Sequence, residues 1–168
     1  TMAYQLPGYL TRAQMDANPR QSFTPNDDAS SDVGNMDLSL KSLWSDDWRL
    51  DMDLVGGRKK MVFDTASWFS YSDVAINRWG ATPRLTWSRD LLDRGNKFLV
   101  GFDGYADRLN SQRYADRARQ FEMATAQIDK STLGVYAREE LAICEPLLFG
   151  LGARHEQARY GANVTANG

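Results

Sequence analysis

The stretch Trp48-Arg49-Leu50-Asp51-Met52-Asp53-Leu54 alternates strictly between apolar and charged residues. A β-strand places successive side chains on opposite faces, so this alternation predicts a strand with one apolar and one charged face. In an α-helix, Leu50 would lie nearly opposite Met52, and no single apolar face would form. Met36-Asp37-Leu38-Ser39-Leu40-Lys41 alternates in the same way, and the polar gap at residues 45–47 predicts a hairpin between the two stretches.

The register of this first hairpin follows from its turn. A three-residue turn at residues 45–47 places Trp44 opposite Trp48, and Lys41 then lies opposite Asp51. Opposite charges directly across a strand pair contribute roughly 0.2–1 kcal/mol. A slip by one residue would turn every apolar side chain to the charged face, so the pattern predicts this register and no neighbouring one.

Two further pairs of alternating stretches follow the first hairpin. They lie within residues 79–107 and 133–156, with turn residues at about 92–96 and 143–146. The sequence therefore predicts an all-β fold, an antiparallel up-and-down meander of about six strands in three hairpins.

The connections between these strands differ at the two ends of the meander. Tight turns fall at one end, and long connections at about residues 56–77 and 108–129 fall at the other. Transmembrane β-barrels have this one-sided arrangement, and their water-filled lumen accepts a charged face. Aromatic residues beside the tight turns suit a membrane interface; they are Trp44, Trp48, Trp87, Phe98 and Phe149. The pattern favours a segment of a barrel wall over a half-buried soluble sheet.

The chain divides into three predicted regions. Residues 1–35 are irregular and polar, and we expect a long outer loop with a short helix. Thr11 and Gln14 have the spacing of a capping box, which places one or two helical turns at about residues 11–17. The remaining regions are barrel strands in residues 36–164 and a tail in residues 165–168.

Composition excludes several other classes of protein. The chain has 20 basic and 22 acidic residues and a net charge of -2, which argues against a dedicated nucleic-acid binder. One Cys and one His are too few for a disulfide framework or a zinc site. The sequence contains no paired-acid motif, nucleophile elbow or metal-ligand spacing, so we expect neither an enzyme nor a bound cofactor.

Two stretches resemble a known family. Ser131-Thr132-Leu133-Gly134-Val135-Tyr136-Ala137-Arg138-Glu139-Glu140-Leu141, followed by Leu148-Phe149-Gly150-Leu151-Gly152-Ala153-Arg154-His155-Glu156, resembles a hairpin of TonB-dependent outer-membrane receptors. Leu6-Pro7-Gly8-Tyr9-Leu10-Thr11-Arg12-Ala13-Gln14 is similar to an outer loop of the iron-complex and cobalamin-type branch of that family.

The resemblance implies a transport function in the Gram-negative outer membrane. Members of the family are 22-stranded barrels with an N-terminal plug. They import siderophore-type metal chelates or cofactors with energy from the inner-membrane TonB complex. About six strands are too few even for the smallest spanning barrels, which have about eight. We therefore expect an internal fragment of a receptor barrel. Its expected partners are outer-membrane lipid and the metal chelate or cofactor. The inner-membrane TonB complex would contact the plug of the parent receptor. The alternative is a soluble all-β ligand-binding module or small barrel.

The predicted ligand-binding residues lie in the long connections. Trp68 and Tyr71 fall in the first, and Arg113, Tyr114 and Arg117 fall in the second. Aromatic faces supply contact area. A guanidinium group can donate two parallel hydrogen bonds to one carboxylate or phosphate. Together they would suit the anionic, partly aromatic chelate or cofactor that the resemblance implies. The competing interpretation of the arginine cluster is a solvated loop that contacts no ligand.

Overall fold

The computed structural model describes residues 1–6, 10–24, 26–91 and 94–167, without the side chains of Tyr4 and Gln5. Its elements, in chain order, are β1 (Met2–Gln5), α1 (Arg12–Ala17), β2 (Asp27–Leu43), β3 (Trp48–Thr65), a 3-10 turn (Ala66–Trp68), β4 (Ser70–Leu91), β5 (Arg94–Tyr114), β6 (Glu122–Cys144) and β7 (Leu147–Ala166). The strands form one seven-stranded antiparallel sheet in the order β1 to β7. The predicted all-β meander is therefore confirmed, with the short strand β1 in addition.

The strands are longer than the alternation predicts. Strands β2 to β7 contain 17 to 23 residues each, which corresponds to lengths of about 58–78 Å. Most of the stretches at 56–77 and 108–129 is therefore strand, and the actual connections are residues 66–69 and 115–121. β2 also begins inside the segment assigned to an outer loop, at Asp27.

The reason for this difference is that parts of the added strands carry polar residues on both faces. In Arg58-Lys59-Lys60 and in Asn110-Ser111-Gln112-Arg113, polar residues occupy successive positions. A sheet that is solvated on both faces has no apolar alternation, so the period-two signal disappears. Two of the three connections at this end, residues 6–26 and 115–121, are still longer than the turns at the opposite end.

Two local predictions are confirmed. Thr11 caps α1: its backbone N–H donates to Gln14 Oε1 at 2.8 Å, and the Gln14 N–H donates to the Thr11 hydroxyl. Lys41 lies opposite Asp51 in the register of β2 and β3. The carboxylate of Asp51, however, pairs with Arg49 at 2.8 Å rather than with Lys41. Residues 7–9 of the family-like stretch and residues 92 and 93 of the second turn lie outside the described residues.

The register places most apolar side chains of the alternating stretches on one face. Leu50 lies opposite Leu85, and Leu85 lies opposite Val100. Leu38 on β2 and Leu151 on β7 have the same orientation by register. We call this surface the apolar face and the opposite surface the polar face.

The apolar face is not covered by any described part of the chain. Leu38 is 57% exposed and Leu151 is 67% exposed, and the buried hydrophobic residues are Ala29 and Tyr71 alone among those described. The accessible surface of 12146 Å² exceeds the roughly 8,400 Å² that a compact monomer of 19.0 kDa would have. The described part of the chain therefore has no hydrophobic core, and its apolar side chains need another phase or another molecule to cover them.

Glycines opposite aromatic residues keep the sheet closely packed. A Cβ atom on Gly101 would lie 2.3 Å from the Tyr136 ring, and one on Gly80 would lie 2.4 Å from the Tyr105 ring. Each tyrosine faces its glycine directly across a strand pair on the polar face. The absence of a side chain at these glycines lets the rings lie flat along the sheet, as in other aromatic–glycine pairs.

The uncovered face generates a prediction about the isolated polypeptide. We expect it not to stay monomeric in water, because large apolar patches and the open edges of β1 and β7 recruit other chains. Analytical ultracentrifugation without detergent should detect oligomers or aggregate, and addition of detergent should reduce them. A monodisperse monomer without detergent would contradict the assignment of the apolar face to lipid.

Candidate functional site: the loop end of the sheet

The loop end of the sheet is formed by the connections 6–26, 66–69 and 115–121 and the strand ends that adjoin them. Of the predicted ligand-site residues, Trp68 and Arg117 lie in these connections, and Tyr71, Arg113 and Tyr114 lie on the adjoining ends of β4 and β5. Tyr71 and Tyr114 lie directly opposite each other on β4 and β5. The structure therefore brings the two predicted loop groups together.

The five predicted residues differ in exposure and orientation. Trp68 is 72% exposed, whereas Tyr71 is only 8% exposed. Arg113 is exposed and precedes Tyr114 on β5. Neighbouring residues of a strand point to opposite faces, so Arg113 lies on the polar face and Tyr114 lies on the side of the apolar face. Burial raises the pKa of Tyr114, and the charge of Asp73 adds to the effect.

Trp68 is positioned by the first residue of β2. The Asp27 carboxylate accepts hydrogen bonds from the Ser67 hydroxyl and from the Ser67 backbone N–H, the latter at 2.9 Å. These bonds lower the pKa of Asp27 because they stabilise its charged form. The 3-10 turn that carries Trp68 is thus attached to a neighbouring strand rather than free.

The connection 115–121 is a compact turn. The Asp116 carboxylate accepts hydrogen bonds from the backbone N–H groups of Phe121 at 2.8 Å and Gln120 at 3.0 Å. Arg119 has a positive φ of 58°. The hydrogen bond from Phe121, followed by that from Gln120, lowers the pKa of Asp116.

Two arginines of this connection reach three strands. Arg117 pairs with Asp28 of β2 at 2.8 Å and with Asp64 of β3 at 3.1 Å. Arg119 pairs with Asp64 at 2.9 Å and with Asp73 of β4, also at 2.9 Å. We call these five residues the arginine clasp. It ties the connection that follows β5 to the ends of β2, β3 and β4.

The centre of the clasp is shielded from water. The Asp64 side chain is 10% exposed, and that of Arg119 is 24% exposed. Burial by itself would lower the pKa of Arg119, but its hydrogen bonds to Asp64 and Asp73 outweigh burial and raise it. Because Arg117 already pairs with two carboxylates, it is less available to an anionic ligand than an unpaired arginine would be.

Four residues of this arrangement were absent from the predicted site: Asp28, Asp64, Asp73 and Arg119. A usable signal did exist for two of them. Extending the register of Lys41 and Asp51 along β2 and β3 places Asp28 opposite Asp64. The apolar alternation ends at Met36 and Leu54. Alternation alone therefore does not extend the register to Asp28 and Asp64, which lie in the polar half of the strands.

The polar face carries a network of cross-strand ion pairs. Arg154 pairs with Asp103 at 2.6 Å, and its guanidinium lies 5.5 Å from the centre of the Tyr136 ring. Further pairs are Arg84 with Asp53 at 3.0 Å and Arg78 with Asp107 at 2.6 Å. Charges satisfied in this way suit a surface that faces water inside a barrel.

The described ranges contain neither a cluster of metal-ligating residues nor a membrane-spanning helix. No group of three or more His, Cys, Asp or Glu residues there could hold a metal ion. No helix in the same ranges has the length and apolar character needed to cross a bilayer.

The chain matches no protein-family model and no curated protein. Solved structures do resemble it. The ferric citrate transporter FecA, in its unliganded form, is similar over 96% of this chain and 26% of its own, with a TM-score of 0.78 and 16% identity. The alcaligin outer-membrane receptor FauA from Bordetella pertussis is similar over 84% of this chain and 24% of its own, with a TM-score of 0.72 and 15% identity. The ferric-catecholate import receptor Fiu from E. coli is similar over 94% of this chain and 31% of its own, with a TM-score of 0.62 and 13% identity.

The class of the protein follows from these comparisons and the sheet. The chain has the fold of a segment of a β-barrel wall, as found in outer-membrane receptors for iron complexes. The resemblance to TonB-dependent receptors predicted from the sequence is therefore confirmed at the level of the fold. The chain spans between 24% and 31% of the length of the three structures.

The clasp generates a prediction about local stability. Asp64→Asn removes the charge that both arginines share, and hydrogen bonds to charged groups contribute roughly 1.5–3 kcal/mol. Hydrogen exchange of the amides in residues 115–121, measured on the chain in detergent micelles, should therefore become about 10- to 150-fold faster. Asp46→Asn, in the turn at the opposite end, is the control and should leave this exchange unchanged.

The same exchange should depend on pH through Asp116. Its pKa is lower in the folded chain than the ordinary value of 3.8, so its stabilising effect is fully present above that value. The effect is lost as the pH falls from 3.8 through the lowered pKa. Asp116→Asn should remove this acid dependence of the 115–121 amides. An unchanged acid dependence in that variant would contradict the role of the Asp116 carboxylate.

Proposed function

We propose that this chain is a segment of the barrel wall of a Gram-negative outer-membrane TonB-dependent receptor, which takes up siderophore-type metal chelates or a cofactor. The observation that carries the proposal is the uncovered apolar face, which continues from β2 to β7 while the polar face bears the charges. Only a membrane barrel has use for this inverted arrangement, with apolar side chains outward and charges inward.

The dimensions of the apolar region support the proposal. On β5 it covers residues 98–106, and Arg108 follows on the same face. About nine residues lie at the lower limit of what a tilted strand needs to cross the hydrocarbon core. The remaining strand residues toward the loop end would stand in water, which agrees with polar side chains on both of their faces.

Aromatic residues mark both limits of the apolar region. Trp48 and Trp87 are cross-strand partners near the tight turns, with ring centroids 6.2 Å apart. Trp79 is 62% exposed near the opposite limit, and its ring lies over Gly56. Trp side chains favour membrane interfaces, so we place the tight turns on the periplasmic side and the loop end outside the cell.

The ligand would meet the loop end, and the five predicted residues divide into two roles. We propose that Trp68 and Arg113 contact the ligand, because both side chains are exposed. Tyr71, Tyr114 and Arg117 would shape the site by holding connection 115–121 beside them. Contact with TonB would run through the plug of the parent receptor.

The alternative of a soluble all-β module fits these observations less well. A soluble sheet buries its apolar face against a second layer. In the described part of the chain, no second layer covers Leu38, Val100 or Leu151.

Charged substitutions test the membrane assignment. In the full receptor barrel that carries this segment, Phe102→Arg should lower stability by about 2–4 kcal/mol, because residue 102 is the centre of the apolar region and the charge would lie near the bilayer midplane. Asn110→Arg is the matched control: it lies on the same strand and face, but eight positions toward the loop end. It should cost less than about 1 kcal/mol. Reversible unfolding in phospholipid vesicles measures both, and equal costs would contradict the proposal.

Alanine substitutions test the ligand site. Replacing Arg113 and Arg117 together should weaken binding of an anionic metal chelate to the full receptor on cells. Arg113→Ala alone should account for most of the loss if Arg117 acts only through the clasp. Arg94→Ala, at the other end of β5, is the control. A change within about twofold, or roughly 0.4 kcal/mol, in the double variant would mean that these residues do not bind the ligand.

A further inference from the structure

An open groove of about 720 Å³ lies on the apolar face between β3 and β7. Its floor is formed by Ala81, Gly104 and Ala106, which are neighbours across β4 and β5. Trp79 borders the floor on one side and Leu133 on the other. The groove therefore exists because small residues meet between large ones within the apolar region.

A second cavity of about 640 Å³ continues this groove toward the loop end. The two cavities share Trp79, Ala106 and Arg159 among their lining residues. The second also reaches Arg108 and Asp129, beyond the end of the apolar region. The combined cleft is thus apolar at the level of the bilayer core and charged at the level of its surface.

The charges at the mouth of the cleft have a positive excess. Arg108 and Asp129 neutralise each other through an ion pair of 2.6 Å. Arg159, opposite Ser131 on β7, forms no ion pair with a carboxylate of the described ranges. The cleft therefore offers the guanidinium group of Arg159 directly above an apolar groove.

From this juxtaposition we infer that the cleft binds one phosphate-bearing membrane lipid. An acyl chain lies on the floor at Gly104 and Ala106, beside the Trp79 ring, and Arg159 holds the phosphate. A guanidinium group can donate two parallel hydrogen bonds to two oxygens of one phosphate. Basic residues at the membrane surface favour anionic lipids. Further barrel strands would pair with the edges of this sheet and leave the cleft open to lipid. The inference rests on the proposed membrane location.

Quenching of tryptophan fluorescence by brominated lipids tests the inference. The 168-residue chain is reconstituted in phosphatidylcholine vesicles that contain an equal minor fraction of either brominated phosphatidic acid or brominated phosphatidylcholine. The signal of Trp79 is the difference between the chain and its Trp79→Phe variant. We expect Trp79 to prefer phosphatidic acid about fivefold, the effect of one cationic contact at the membrane surface.

Two variants separate a site from general charge attraction. Arg159→Gln should remove most of the preference, while Arg89→Gln, on the same face at the tight-turn end, should leave it unchanged. Quenching by brominated phosphatidylcholine at the remaining tryptophans verifies that each variant is inserted.

Each contrary outcome has a distinct meaning. Equal quenching of Trp79 by the two brominated lipids in an inserted chain would overturn the lipid site alone. A preference that survives Arg159→Gln would also overturn it, because it would reflect the membrane surface as a whole. No quenching of any tryptophan by either lipid would overturn the membrane location and the lipid site together.

Discussion

The antiparallel register from β2 to β7, which shifts only near strand ends at Arg113/Tyr114 and Ala142/Cys144, is the constraint on which the rest of the structure depends. Side chains alternate with a period of two, so a slip of one residue at any strand pair would exchange the apolar and polar faces beyond it. The pairs Leu50–Leu85 and Leu85–Val100 show that no such slip occurs in the central strands. Gly101 opposite Tyr136 fits only this register, because a Cβ atom there would collide with the ring.

The same register explains how a chain without a hydrophobic core can hold a defined shape. The backbone hydrogen bonds are satisfied between strands, and the polar face adds ion pairs such as Arg154–Asp103. In lipid, unsatisfied backbone groups are costly, so the pairing itself is the main source of order. In the proposed barrel, the apolar face would contact lipid chains, and its small and large residues would determine where a lipid fits.

The loop end follows a different physical rule. There polar residues occur on both faces of the strands, and side-chain charges replace the apolar contrast as the organising interaction. The clasp joins Arg117 and Arg119 to carboxylates on three strands, and this fixes the connection that follows Arg113 and Tyr114. The proposed ligand site is thus built on a rigid support, as loop sites on scaffolds commonly are.

The alternation in residues 36–54 was sufficient to determine the all-β class, the first hairpin register and the two faces, because these depend on local periodicity. The capping box at Thr11 and Gln14 was equally local. The outer halves of the strands could not be predicted, because Arg58, Lys60 and Arg108 lie on strands whose two faces are both wetted. The partners of Arg117 and Arg119, and the cleft below Arg159, were decided only by tertiary structure. They join side chains from separate strands, whose distances depend on the assembled sheet rather than on neighbours in the sequence.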